Sequence, residues 1–193
     1  GEASITCLCV VEAPQGDMTG YIQTNIMSMT DGHLFFDHRL FAEGRRPAID
    51  VFISVTRVGR QTQSPLKQQI AHELTSFLRH MERIHTFKSF GAEMNDQTKR
   101  AFEKENLIVQ FFDQTAFDTI LSSVQIVLFA LIWSDAWREK SKSDVRFLIQ
   151  KIVFISETKP EIRKRIDDFI AGSSSLEILL TRIKEFDVLG EGK

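Results

Sequence analysis

A change of pattern at Ser64 and Pro65 limits the folds open to this chain of 193 residues. Ser64 can cap a helix, and proline suits the first helical position. From there onward apolar residues recur at helical spacing, beginning with Leu66, Ile70 and Leu74. We predict helices, with no strand among them, at residues 65–84, 97–112, 118–137, 143–155 (after the cap Ser143), 160–170 and 174–186.

Before residue 64 the pattern indicates strands. Residues 4–12 and 49–53 are short apolar runs, and Asp31-Gly32 between two further runs predicts a hairpin with a two-residue turn. Residues 1–63 are too few to cover both faces of a sheet, so we interpret them as part of a larger, mostly parallel one. Alone, they should expose an apolar face, and the chain should associate with itself or with a partner. The predicted fold is an α/β segment at 1–63 followed by an all-α helical bundle at 64–193.

The composition excludes several classes of function. The net charge is -2 and the charges are interspersed, so the chain has no basic stripe for nucleic acid. Cys7 and Cys9 have no histidine at zinc spacing, so we expect no metal site and a reducing compartment. The apolar run at 124–133 is about half of what a bilayer requires, which indicates a buried helix. The closest match to a phosphate-binding loop, "GEGK" at 190–193, lacks the earlier glycine and the following Ser or Thr.

Residues 16–63 carry motifs of a known family. They contain "GDMTGYIQTNIMSMTDGHLFF" and "RPAIDVFISVTRVG". These motifs resemble the alpha subunit of the rotary (F-type) ATP synthase. The stretches "SFGAEMNDQTKRAF", "LIVQFFDQ" and "SDVRFL" extend the resemblance more weakly over the rest of the chain. It implies the C-terminal portion of such a subunit: the end of a RecA-like nucleotide domain and the helical C-terminal domain, without the β-barrel, P-loop or Walker B strand.

The resemblance assigns a catalytic role to Arg57. In this family the arginine of the "SVTRVG" motif is an arginine finger that reaches the ATP site of the neighbouring beta subunit. A planar guanidinium that stays charged suits the negative charge of phosphoryl transfer. Ser28 and Val55 match positions at the same interface. From the residues alone, Arg57 could instead form a surface salt bridge, Ser28 could end a strand, and Val55 could be a packing residue.

The resemblance also implies a nucleotide-binding group. Arg46 and Pro47 match the pair that flanks the adenine in the alpha subunit's own non-catalytic site, although Arg-Pro is also a common loop dipeptide. Gln110 and Gln114 match two glutamines of the adenine pocket, here spaced two residues wider. The implied cofactors are ATP or ADP with Mg²⁺ in the full assembly. This chain alone should bind none of them tightly, because it lacks the phosphate-binding groups.

The implied partners are a beta-type catalytic subunit and a gamma-type central stalk subunit, with the membrane sector contacted only indirectly. The implied location is peripheral on an energy-transducing membrane, at the cytoplasmic face in a bacterium or the matrix or stroma face in an organelle. In the loop at 133–145 we expect Trp137, Arg138, Lys140 and Lys142 to face the stalk; the alternative is an exposed connector without a partner.

Two other functions remain open at this point. One is another RecA-like hexameric motor, such as a secretion ATPase or a termination factor, but its relatives do not carry "RPAI" and "SVTRVG" in this form. The other is a non-enzymatic helical interaction module, a degenerate or split alpha paralogue.

Overall fold

The structure is a computed structural model that describes residues 3–89, 95–115, 117 and 119–189, with only the backbone described at 87–89. The chain divides into two compact units. The first comprises the residues up to Gly44 together with Ala48–Thr62. The second comprises Arg45–Pro47 and the chain from Gln63 onward. An α/β segment followed by a helical bundle is therefore confirmed.

The first unit contains one antiparallel pair of strands. Its elements in chain order are α1 (Tyr21–Met29), β1 (Gly32–Phe36), α2 (His38–Ala42) and β2 (Ile49–Thr56), with short 3₁₀ turns at Pro14–Gly16 and Gly59–Thr62. In the register of the pair, Gly32 lies opposite Thr56 and Phe36 opposite Ile49. An irregularity between His33 and Phe35 interrupts the ladder. There the Phe35 N–H donates to Ser54 Oγ at 3.0 Å.

The predicted hairpin around Asp31 and Gly32 is wrong, because the residues before it form a helix. Ile22, Ile26 and Met29 recur at the four- and three-residue spacing of one helix face, and this period prevails over the turn signal. Asp31 instead lies between α1 and β1. The partner of β1 is β2, reached through α2.

The expectation of a mostly parallel sheet is not met among the described residues, whose two strands are antiparallel. Residues 4–12 are not part of a strand, contrary to prediction. The predicted exposure of apolar side chains is confirmed: Ile5, Leu8 and Val10 are 96%, 87% and 97% exposed. Association through this surface stays a prediction.

The second unit is helical, as predicted. Its helices are α3 (Pro65–Ser89), α4 (Asp96–Phe112), α5 (Ser122–Trp133), α6 (Lys142–Thr158), α7 (Pro160–Ala171) and α8 (Leu176–Ile183). Among the residues described from position 65 on there is no strand. Each helix matches a predicted one, and the differences lie at the ends.

Capping side chains explain most of these differences. Ser141, rather than the predicted Ser143, caps α6 by accepting a hydrogen bond from the Asp144 N–H. Ser175 likewise caps α8, which is shorter at both ends than predicted. Helix α5 ends at Trp133, four residues early, and begins at Ser122; the predicted start at residue 118 lies outside the described residues. A side-chain oxygen that satisfies a free N–H at the start of a helix decides where the helix begins.

The core of the helical unit is built around α5. Val124 and every residue from Ile126 to Ile132 are buried. Helices α4, α6, α7 and α8 pack against it. A helix that is apolar on all faces can only be accommodated in this way.

We therefore expect Leu128→Ala, at a site with no exposed surface, to lower the free energy of unfolding by about 2–5 kcal/mol, because it removes methyl groups and leaves a cavity. Urea unfolding followed by tryptophan fluorescence measures this, since both tryptophans lie in the helical unit. The control is Phe154→Ala, at an exposed side chain, with an expected change within about 0.5 kcal/mol. Equal losses in the two variants would contradict the described core.

Candidate functional site

Arg57 directly follows β2, and both its backbone and its side chain are held by the segment before β1. Its N–H donates to the Asp31 carbonyl at 2.8 Å. Its Nη1 donates to the carbonyl of Thr30, the residue that ends α1, at 3.4 Å. The side chain is exposed, and no carboxylate of the described residues lies within ion-pair distance of it. Arg57 therefore presents an accessible guanidinium from a defined backbone position. It does not form a surface salt bridge, the alternative role, with any of the described residues.

Gly32 allows the two strands to approach closely beside Arg57. A Cβ on Gly32 would overlap the Val55 carbonyl oxygen and lie 3.1 Å from the Thr56 Cα. Any larger residue would therefore push β1 away from the end of β2. The sequence predicts a turn role for this glycine, but its role in the structure is this backbone contact.

The two other residues assigned to this interface lie near Arg57 in the fold. Val55, two residues before Arg57, pairs with His33 and is 44% exposed. Ser28 lies in the last turn of α1, not at a strand end, and its Oγ donates to the Thr24 carbonyl at 2.7 Å. Since Thr30 receives the Arg57 side chain, α1 and β2 bring Ser28, Val55 and Arg57 into one region of the first unit.

A buried carboxylate that the sequence analysis missed organises the connection between β1 and β2. Asp37 caps α2 and accepts hydrogen bonds from the Arg39 N–H at 2.7 Å and from Arg39 Nη2 at 2.9 Å. The Arg39 side chain, and then its N–H, lower the pKa of Asp37. The Asp37 N–H donates to the Ala48 carbonyl at 2.9 Å, which ties the cap to the start of β2. An aspartate directly before a helix was the available signal.

The four residues of the nucleotide-binding group belong to the second unit. The Gln114 N–H donates to the Arg46 carbonyl at 2.9 Å, which brings these two residues together. Arg46 is half-buried, and its Nη1 donates to the Arg45 carbonyl at 2.7 Å. Pro47 is exposed. Gln110 is half-buried in the last turn of α4 and Gln114 follows the helix end, so the two glutamines do not lie on one helix face.

The loop assigned to the stalk has one member that points inward. Trp137 is only 6% exposed and belongs to the helical core, so the prediction that it faces outward is wrong. Arg138, Lys140 and Lys142 are exposed. Arg138 Nε lies 3.6 Å from a Glu103 carboxylate oxygen. The free energy gained by removing the indole from water favours the inward orientation of Trp137, although several residues near it in the sequence are charged.

The described residues provide neither a metal-binding cluster nor a membrane-spanning helix. In the part of the chain that the structure describes, no group of three or more His, Cys, Asp or Glu side chains is arranged to hold a metal ion. The Cys7 and Cys9 sulfurs are 3.8 Å apart, exposed and unbridged. None of the described helices has the length and apolar character to cross a membrane.

Comparisons with known proteins agree with the fold. The nucleotide-binding domain model of the ATP synthase alpha/beta family matches residues 1–56. The chain is 30% identical over 191 residues to ATP synthase subunit alpha of Acholeplasma laidlawii, covering 96% of this chain and 38% of that protein. It is 37% identical over 132 residues to ATP synthase subunit alpha 1 of Mycoplasmopsis pulmonis, covering 68% and 25%. For subunit alpha of Caldanaerobacter subterraneus the identity is 31% over 169 residues, covering 87% and 33%. The chain thus spans less than half the length of these curated relatives.

The lowered pKa of Asp37 predicts a dependence of stability on pH. A carboxyl whose pKa is lower in the folded state contributes stability above its unfolded value, near 3.8, and loses it as the pH falls through the folded value. We expect Asp37→Asn, which keeps an acceptor for the helix cap, to reduce the loss of stability below about pH 4. Urea midpoints at several acidic pH values test this, with the exposed Asp31→Asn as the control. An unchanged acid dependence in Asp37→Asn would refute it.

Proposed function

Because this chain belongs to the ATP synthase alpha/beta family and is similar to alpha subunits over nearly its whole length, we propose that it supplies Arg57 as an arginine finger, in trans, to the ATP site of a neighbouring beta-type subunit. The exposure of the Arg57 guanidinium and its lack of a neutralising partner among the described residues support this proposal. It is exposed, its Nη1 is bound only weakly by the Thr30 carbonyl at 3.4 Å, and no described carboxylate neutralises it. Its charge therefore remains available to a partner.

The chemistry of phosphoryl transfer suits such a residue. Negative charge develops on the transferred oxygens, and the forked donors of a guanidinium can meet it without losing a proton. The bond from the Arg57 N–H to the Asp31 carbonyl at 2.8 Å fixes the backbone position from which the side chain reaches outward. Ser28 and Val55, in the same region of the first unit, are proposed to contact the partner around the finger.

The proposal predicts a large loss of turnover in Arg57→Ala. In an assembled ATPase that contains this sequence, we expect steady-state hydrolysis to fall by about 10³- to 10⁵-fold, with the partner's nucleotide affinity nearly unchanged, because the interaction acts where charge develops. Arg57→Lys should recover little, since an ammonium cannot reproduce the fork. The matched control is Arg60→Ala, three residues further on.

An exposed salt bridge would give a different result, namely about 0–1 kcal/mol of stability and no effect on the reaction. A complex with Arg57→Ala that assembles and hydrolyses ATP within about tenfold of the parent would exclude the finger. A similar loss in Arg60→Ala would show that general loss of positive charge, rather than the finger, is responsible.

We further propose that Arg46, Pro47, Gln110 and Gln114 contribute the base side of a non-catalytic ATP or ADP site. An exposed proline ring and a guanidinium plane suit the faces of an adenine, and carboxamides suit its donor and acceptor edge. The bond between Gln114 and Arg46 supports the grouping. The phosphates and Mg²⁺ need groups that this sequence does not contain, so the chain alone should bind nucleotide weakly.

In the proposed assembly the helical unit contacts a gamma-type central stalk, and the whole complex lies peripherally on an energy-transducing membrane. The exposed cations Arg138, Lys140 and Lys142 are the proposed contact, without the buried Trp137. A surface that must slide past a rotating partner is expected to be polar and hydrated. These three side chains satisfy that requirement.

The stalk contact predicts that replacing Arg138, Lys140 and Lys142 by glutamine alters the ratio of ion pumping to ATP hydrolysis. The fold should tolerate this change, because all three side chains are exposed and a cation at the start of α6 is disfavoured by the helix dipole. The ratio is measured in reconstituted vesicles. The matched control is glutamine at the exposed cations Lys159, Arg163 and Lys164. An unchanged ratio in the first variant would favour a connector without a partner.

A further inference from the structure

An open cleft of about 450 Å³ lies within the helical unit. Its lining comes from three helices and includes Gln69 and Glu73 of α3, Trp133 of α5, and Leu176, Glu177 and Leu180 of α8. None of these residues belongs to the proposed finger, nucleotide or stalk groups. The cleft is therefore separate from these three groups.

The indole of Trp133 gives the cleft an apolar surface that is already held in place. The Phe129 ring stacks on it with 5.0 Å between centroids, and the Phe77 ring meets it edge-on at 5.5 Å. Lys104 Nζ lies 5.1 Å from the ring centroid and donates to the Trp133 carbonyl at 3.3 Å. An aromatic ring fixed by its neighbours loses little entropy when a ligand packs on it.

A hydrogen bond fixes the two helical walls relative to each other. Gln69 Oε1 of α3 accepts from the N–H of Leu176, the first residue of α8, at 2.8 Å. This bond satisfies one of the free N–H groups at the start of α8, so the helix end does not require a ligand. The cleft is thus largely preformed.

The rim of the cleft is acidic. Glu73 and Glu177 are exposed, and within the described part of the chain neither carboxylate forms an ion pair. No lysine or arginine is among the lining residues. Lys104, beside the Trp133 ring, is paired with Asp135 at 2.9 Å. An apolar floor with two carboxylates at its edge disfavours anionic ligands and favours a group that is both apolar and positively charged.

We propose that this cleft docks a segment of a partner protein in which an apolar side chain is flanked by lysine or arginine. The apolar side chain packs on Trp133 between Leu176 and Leu180. The flanking cations lie beside Glu73 and Glu177, where partly exposed charge pairs guide orientation more than they add affinity. The proposal does not depend on the role of Arg57.

The test uses the full chain and two synthetic peptides, capped at both ends and identical except for charge. In the first peptide, leucines recur at helical spacing and lysines occupy the positions beside them. In the second peptide, glutamate replaces each lysine. In ¹⁵N NMR titrations, the leucine–lysine peptide should shift the Trp133 indole signal and the amides of Leu176 and Leu180. The buried Trp137 indole, which does not line the cleft, should stay unchanged.

Neutralising the rim carboxylates and adding salt then test the role of the rim. Glu73→Gln and Glu177→Gln should each weaken binding by about 1.5- to 5-fold, and added salt should remove this difference. The matched controls Glu157→Gln and Glu161→Gln, at exposed residues outside the cleft, should bind like the parent. The proposal is overturned if both peptides bind equally, if only signals of the first unit shift, or if no signal shifts. It is also overturned if the cleft signals shift with protein concentration alone, because a second copy would then be the occupant.

Discussion

Burial of α5 on every side is the constraint on which the helical unit depends. The packing of α4, α6, α7 and α8 around it provides a continuous apolar core, and the same core takes in Trp137 from the following connector. The first unit has nothing comparable. Among its described residues, only Ala48 and Asp37 are buried. Area removed from water therefore stabilises the second unit, whereas the first is held mainly by backbone pairing and by the cap at Asp37.

This difference explains how Arg57 is placed. Its position depends on main-chain contacts: the approach of Gly32 to β2 and the bonds to the carbonyls of Asp31 and Thr30. None of these contacts neutralises the positive charge of the guanidinium. A residue that is positioned by backbone contacts and left exposed can keep its place while its side chain is available to another molecule. The apolar surface exposed at Ile5 and Val10 likewise suits a unit that is completed by further protein.

The sequence predicted the helices well because each has a long apolar period, but it predicted their ends less well. The ends depend on which of several nearby serines reaches a free N–H, as at Ser141. Helix α1 was not predicted, because its period of only three apolar residues is a weaker signal than the Asp-Gly turn dipeptide that follows it. The role proposed for Arg57 rests on its motif. The bond between Arg46 and Gln114 could not be predicted, because it joins backbone groups that are far apart in the sequence and involves neither side chain.

We expect Arg57 to meet the negative charge of a nucleotide bound to the partner subunit. A structure of the assembled complex with Mg²⁺, ADP and aluminium fluoride, a mimic of the transferred phosphoryl group, tests this role. Arg57 nitrogens should then lie about 2.7–3.2 Å from fluoride or phosphate atoms in the beta-type subunit's site. A guanidinium that remains on the Thr30 carbonyl, or pairs with a carboxylate, at every occupied site would contradict this role.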